Sequence, residues 1–203
     1  MKIICIGRNY VAHAKELNNP IPKQPVVFFK PDTALLKHAK PFYYPDFSNN
    51  IHYEAEIVLK ICKNGKHIQE KFAHKYYQEI TIGIDLTARD IQDECKIKGH
   101  PWERAKAFDN SAILGDFINK SSLKSINNIG FYLTINKQRV QNGESKDMLF
   151  SIDQIISNVS KFVSLKQGDL IFTGTPSGVG PIKIGDKLEG FIENQGLLKC
   201  EIK

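Results

Sequence analysis

The chain has 203 residues, 41% of them hydrophobic and 25% charged, with a formal net charge of +6 at pH 7. That is the composition of one ordinary globular domain with room for a sizeable core. It excludes a disordered or repetitive chain and a helical membrane span, since no segment is low in complexity and no apolar run approaches the roughly 20 residues a span needs.

The basic excess is mostly lysine with acids in between, as in Lys183 and Lys187 around Asp186. There is no arginine-rich run and no finger or helix-turn-helix signature, so the charge reads as a solvated surface that favours small anions rather than nucleic acid. Cys5, Cys62, Cys95 and Cys200 show neither a CxxC pair nor Cys/His ligand spacing, and fit a reducing compartment. Residues 1–7 are too short an apolar stretch for a signal peptide. The expected location is the cytoplasm, with no membrane partner.

In chain order, residues 2–6 read as a strand ended by Gly7, and Asn9 as the cap of a helix over 10–17. Residues 18–25 are turn-rich, 26–29 form a strand, and 41–50 a Pro/Asn loop. Residues 52–61 and 80–86 are strands, the second rich in β-branched residues. Thr87 is positioned to cap a helix to about residue 98, which Gly99-His100-Pro101 breaks. Strands follow at 129–135 and 170–173. Between them Ile152, Ile155, Ile156, Val159 and Val163 recur at helical spacing, which predicts an amphipathic helix over 150–163. Residues 186–192 and 197–202 form a hairpin around Asn194-Gln195-Gly196. The sum is α+β without regular βαβ alternation, closer to a rolled β architecture than to a doubly wound sheet.

On the strand over 52–61, Glu54 and Glu56 project to one face. Two like charges there repel and raise each other's pKa, and a hard divalent cation between them removes the conflict. The same spacing also suits the wet face of an amphipathic strand. Asp85 ends the apolar run Ile82-Gly83-Ile84, where a lone carboxylate is costly to bury, although a helix N-terminus there offers it free amides. Lys106 gains interest only if its ammonium points into an anionic pocket. His13 and Glu16, three residues apart, are neighbours on the first helix. A carboxylate beside an imidazole makes a general base, or simply an exposed pair. Thr173-Gly174-Thr175-Pro176-Ser177-Gly178 follows a strand and lacks the Gly-Lys-Ser/Thr end of a nucleotide loop. It is an anion-binding turn or a structural one.

Taken in order, these stretches form a pattern. They are Gly7-Arg8-Asn9-Tyr10 with His13 and Glu16, Phe29-Lys30-Pro31, Tyr53-Glu54-Ala55-Glu56, Asp85-Leu86-Thr87-Ala88-Arg89-Asp90, Lys106-Ala107-Phe108-Asp109, and Thr173-Gly174-Thr175-Pro176 with Gly178-Val179-Gly180. Over essentially its whole length the chain resembles the fumarylacetoacetate hydrolase superfamily, and within it the short acylpyruvate hydrolase and oxaloacetate decarboxylase type.

The resemblance implies a mixed β-roll with a few short helices. It implies a single catalytic domain over 1–203, with residues 8–25 as a mobile lid helix and loop, and a homodimer. Glu54, Glu56 and Asp85 would hold Mg²⁺ or Mn²⁺. Arg8, Gln92, Lys106 and Thr175 would contact the substrate's carboxylate and keto oxygens or orient it, with Lys106 also stabilising an oxyanion. His13 and Glu16 would activate water. The implied activity is cleavage of a C–C bond in a small 2-keto acid through a metal-bound pyruvate enolate: acylpyruvate hydrolysis, oxaloacetate decarboxylation, or both. The alternative in the same superfamily is an isomerase or decarboxylase of the 2-hydroxyhepta-2,4-diene-1,7-dioate type. A non-catalytic anion- or nucleic-acid-binding protein is the rival from another class. Ala107 stands where relatives often carry Ser or Gly, and His52 where many carry Asp. Both departures bear on specificity.

Overall fold

The computed structural model describes residues 1–16, 20–36 and 40–203, with the backbone alone at 13–15. Along the chain run β1 (Ile3–Gly7), α1 (Val11–Glu16), β2 (Val26–Lys30), β3 (Ile51–Tyr53), β4 (Ala55–Ile61), α2 (Glu70–Ala73), β5 (Tyr77–Asp85) and β6 (Thr87–Ala88). Then come α3 (Arg89–Lys98), α4 (Glu103–Lys106), β7 (Ala112–Leu114), β8 (Ile118–Asn119), β9 (Gly130–Ile135), β10 (Gln138–Glu144) and α5 (Ile152–Ser160). The last strands are β11 (Leu170–Phe172), β12 (Gly180–Pro181), β13 (Lys187–Ile192) and β14 (Gln195–Glu201).

The main sheet has the order β2-β1-β11-β4-β5-β7, with β8 also paired to β5. Its β1–β11 pair is parallel and its other pairs are antiparallel. A second sheet, β10-β9-β13-β14, and a small third one, β12-β3-β6, complete the mixed α+β roll among the described residues. The strands close on a main core in which Ile57, Leu59, Ile80, Ile82, Leu133 and Ile155 are fully buried, and a smaller cluster with Ile3, Cys5, Val58 and Phe172 packs separately. Each isoleucine or leucine of the main core contributes roughly 1.5–3 kcal/mol of burial. The predicted periodicity over 150–163 is realised as α5, whose Ile152, Ile155, Ile156 and Val159 face that core. Ser151 and Gln154 close a capping box at its start.

The two predicted caps are corrected. Asn9 is fully buried, and its carboxamide donates to the Phe150 and Thr173 carbonyls and accepts from the Phe150 amide. It bolts the end of β1 to distant chain instead of capping α1. Thr87 extends into β6 opposite His52, and its hydroxyl donates to the Asp85 carbonyl, so α3 starts at Arg89 without a side-chain cap. Gly99 ends α3 in the left-handed region (φ +65°), as its position in the sequence suggests. The final hairpin turns at Glu193 and Asn194, two residues before the expected start of the return strand, because Gln195 and Gly196 already pair with β13.

The strand over 52–61 is interrupted at Glu54, which belongs to neither β3 nor β4. That break lets the Glu54 carbonyl accept from the Asp85 amide (2.8 Å) beside the β4–β5 ladder. Within the expected lid, α1 ends at Glu16 and residues 17–19 lie outside the described residues. No helix among the described residues is long and apolar enough to cross a membrane.

Candidate active site

The interruption at Glu54 and the end of β5 bring the three predicted metal ligands to one point. Glu54, Glu56 and Asp85 are all buried, and one carboxylate oxygen from each lies within 4.8 Å of the others. The face carrying them is therefore not the wet side of an amphipathic strand. Glu56 pairs with Gly83 across the ladder. A Cβ on that glycine would come within 2.7 Å of Val58 and 2.8 Å of Phe172, so only glycine lets the strands approach here. Burial first, and then Asp85 and Glu54, push the Glu56 carboxyl well above the usual carboxylate range.

The loop after β11 supplies the next contact. Gly174 (φ +103°) donates its amide to Glu56 Oε2 at 2.7 Å. A Cβ at that position would sit 2.6 Å from Asn9 Cβ. The sequence leaves the Thr-Gly-Thr-Pro stretch open between an anion-binding and a structural turn. Here its glycine amide holds one of the protein's own carboxylates.

Cations surround the cluster. Lys106, on the last turn of α4 and 3% exposed, sends its ammonium between Glu54 Oε2 (2.7 Å) and Asp85 Oδ2 (2.8 Å). Burial disfavours that ammonium, but Asp85 and Glu54 outweigh it and raise its pKa above the ordinary lysine value. It thus has the anionic surroundings that would make a lysine functional. Arg89 reaches Glu54 Oε1 (2.5 Å) and donates to Gln92 Oε1 (2.6 Å). The Gln92 amide is thereby oriented from the helix that also carries Arg89.

Arg8, in the left-handed region at φ +59°, lies with its guanidinium 5.9 Å from the Trp102 ring centroid. Trp102 in turn meets Phe28 edge-on. Arg8, Gln92, Lys106 and Thr175 all line the same cavity as the three carboxylates. Its free space is about 30 Å³, close to the liquid-volume share of one water. Lys96 and Trp102 stand in the same wall.

Two residues essential to this arrangement had no role assigned from the sequence. Lys30, whose side chain is fully buried, lies 2.8 Å from Asp85 Oδ1. It donates to the Ser111 hydroxyl (2.9 Å) and carbonyl (3.2 Å) and to the Lys106 carbonyl. One signal was available: a lysine closing the apolar run Val26-Val27-Phe28-Phe29. Gln141, 2% exposed, accepts from the Ala55 amide (2.9 Å) and donates to Thr175 Oγ1 (2.9 Å) and the Pro176 carbonyl (3.0 Å). It gave no local signal.

Of the pair expected to activate water, the described residues include the side chain of Glu16 alone. Glu16 is exposed and accepts from the Gly178 amide (3.0 Å), which ties the end of α1 to the loop after β11. The His13 side chain lies outside the described residues.

The donor set fits a hard divalent cation. Three convergent carboxylates supply oxygen ligands and leave coordination positions for water or substrate, and Mg²⁺ and Mn²⁺ both favour such oxygen ligands. The mutual repulsion within the cluster is of the kind a cation relieves.

Residues 2–203 match the family model described as fumarylacetoacetate (FAA) hydrolase C-terminal. The chain belongs to this family. It is 40% identical over 201 residues to the mitochondrial oxaloacetate tautomerase FAHD1 of Bos taurus, covering 99% of this chain and 90% of the relative. It is also 40% identical over 189 residues to the mitochondrial oxaloacetate decarboxylase of Dictyostelium discoideum, covering 93% of this chain and 87% of the relative. Among solved structures, the fumarylpyruvate hydrolase of Pseudomonas aeruginosa, in complex with Mn²⁺ and pyruvate, superposes with a TM-score of 0.93 at 33% identity. That match covers 100% of this chain and 89% of the hydrolase. The β-roll implied by the motifs is thus the observed family fold. The three relatives named are enzymes, and they represent three reaction types.

Proposed function

We propose that this protein is a divalent-metal-dependent enzyme acting on small 2-keto acids, with oxaloacetate as the first substrate to test. The observation that carries this reading is the buried Glu54–Glu56–Asp85 cluster in a cavity whose wall also carries Arg8, Arg89, Lys106, Gln92 and Thr175. The cations Arg8, Arg89, Lys96 and Lys106 in that wall favour an anionic substrate. The Bos taurus and Dictyostelium relatives, named for oxaloacetate, support the same choice.

Glu54, Glu56 and Asp85 would hold Mg²⁺ or Mn²⁺. When bound, the cation supplies Lewis acidity to the substrate's carboxylate and keto oxygens. Arg8 offers a guanidinium to a carboxylate, and Arg89 fixes the Gln92 amide against the substrate. The Lys106 ammonium, in the same cavity wall, would stabilise negative charge that develops on a substrate oxygen. In decarboxylation the C3–C4 bond breaks and CO₂ leaves. Its electron pair passes into the C2–C3 unit, and a proton is later taken at C3. In tautomerisation the C3–H bond breaks or forms while the C2 oxygen gains or loses a proton, and no carbon–carbon bond is broken.

Hydrolysis of an acylpyruvate additionally needs water added at C4, which is the role proposed for His13 with Glu16. The hydrogen bond from the Gly178 amide to Glu16 ties α1 to the loop that carries Thr175, which supports that second reading. As part of the same proposal, residues 8–25 move as a lid and the protein is a homodimer.

Turnover of oxaloacetate and acetylpyruvate, with Mg²⁺, with EDTA and in Glu56→Ala, tests the reading. EDTA and the substitution are each expected to abolish turnover of both substrates. Activity that survives both overturns the proposal. Loss of acetylpyruvate cleavage alone in His13→Ala assigns water activation to that residue.

A further inference from the structure

The polarity of the Thr175 hydroxyl is fixed by backbone groups on both sides. The Ala55 amide can only donate, so the Gln141 oxygen must be the atom that faces it (2.9 Å). The Pro176 carbonyl can only accept, so the Gln141 nitrogen must face that side (3.0 Å). That nitrogen therefore donates to Thr175 Oγ1 at 2.9 Å. The Ala55 carbonyl, 2.9 Å away on the other side, is an acceptor and takes the hydroxyl's single proton. A hydroxyl has one proton and two lone pairs. With the proton and one lone pair used, the cavity-lining Thr175 keeps only a lone pair for a ligand.

A carboxylate or keto oxygen presents lone pairs alone, so this hydroxyl cannot hydrogen-bond to either of them. On this inference Thr175 would not meet those oxygens through its side chain. Accepting from a ligand O–H is what remains. We infer that Thr175 is a specificity-determining residue that accepts a hydrogen bond from the enol hydroxyl of a 2-keto acid, so that the site selects the enol form. The inference rests on the keto-acid reading above. It gives the wall complementary roles: the cations Arg8, Arg89 and Lys106 meet the ligand's anionic oxygens, and Thr175 meets its one donor. Gln141 sets this selectivity without touching the ligand, since exchanging its oxygen and nitrogen would leave the Ala55 amide and the Pro176 carbonyl both unpaired.

The test is calorimetric binding to the Mn²⁺-loaded full chain of two probes. Oxalate carries only acceptor oxygens at neutral pH, and malate carries a hydroxyl at C2. Thr175→Val is expected to weaken malate about tenfold, the equivalent of one hydrogen bond, and to leave oxalate within about twofold. Thr175→Ser, which keeps the hydroxyl, is expected to retain the parent's malate-to-oxalate ratio. Unchanged oxalate affinity shows that the variant site is folded, and Thr175→Ala serves as the same probe if the valine variant does not fold. Equal weakening of both probes, or of neither, overturns the inference. Failure of the unaltered protein to bind either probe overturns the keto-acid reading itself, before any variant is compared.

Discussion

Asp169 shows how a single buried charge sets the geometry of the site from a distance. Its Oδ1 accepts from the Lys2 amide (2.8 Å), and its Oδ2 accepts from the Lys166 amide (2.8 Å) and pairs with the Lys2 ammonium (2.5 Å). Burial opposes the carboxylate, but these bonds win and hold its pKa below the ordinary value. The clip aligns β1 with β11, and Gly174 and Thr175 follow β11 directly. A carboxylate with a depressed pKa contributes stability that is present above its unfolded pKa and lost as the pH falls through its folded one. Asp169→Asn is expected to cost about 1.5–3 kcal/mol at pH 7. Denaturant melts at several pH values should show the difference from the unaltered protein constant above about pH 4 and shrinking below it. A pH-independent difference would assign the loss to packing alone. The carboxylates Glu54, Glu56 and Asp85 were legible through the family motifs, since their spacing and apolar neighbours alone left a wet strand face and a helix terminus open as readings. Gln141 was not, because its partners stand 86 and 34 positions away and nothing in Arg139-Val140-Gln141-Asn142 distinguishes it from a surface glutamine.

Element by element, patterns carried by burial were readable and those carried by local polar chemistry were not. The apolar periodicity of α5 and the β-branched run of β5 could be read because each buries one face or both. Asn9 and Thr87 are residue types that favour caps, yet their side chains satisfy carbonyls elsewhere in the roll. β10 was missed altogether, since Gln138, Arg139, Gln141 and Asn142 give no apolar alternation. It forms because β9 offers an edge and the intervening turn suits the strand twist. Asn136 (φ +52°) and Lys137 (φ +69°) both lie in the left-handed region, the conformation of a type I′ hairpin turn. Asn136 is held by the Lys187 amide (3.0 Å) and Asp186 (2.9 Å), whereas a lysine has no comparable reason to adopt positive φ. Lys137→Gly is therefore expected to stabilise the protein by up to about 1 kcal/mol. An unchanged or lowered denaturation midpoint would show that the turn is not strained.

For the molecule as a whole, the fold family was readable from motifs strung along nearly the entire chain, while the sheet order was not. The parallel neighbours β1 and β11 are joined through Lys2 and Asp169, 167 positions apart, and no local pattern encodes that pairing. The same long-range closure gathers Arg8, Glu54, Glu56, Asp85, Lys106 and Thr175 around one cavity. Within it, Asp85 and Glu54 are held by Lys30, Lys106 and Arg89, and Glu56 by the Gly174 amide. The central claim is that this cluster exists to bind a divalent cation. A bound ligand stabilises the folded state by about 2.7 kcal/mol at a hundred times its Kd, roughly 5–10 °C for a chain of this length. Thermal denaturation of chelator-stripped protein with and without Mn²⁺, in the unaltered chain and in Glu56→Gln, tests the claim most directly. The account predicts a rise of that size in the unaltered protein and little or none in the variant. An equal rise in both, or none in either, would contradict it.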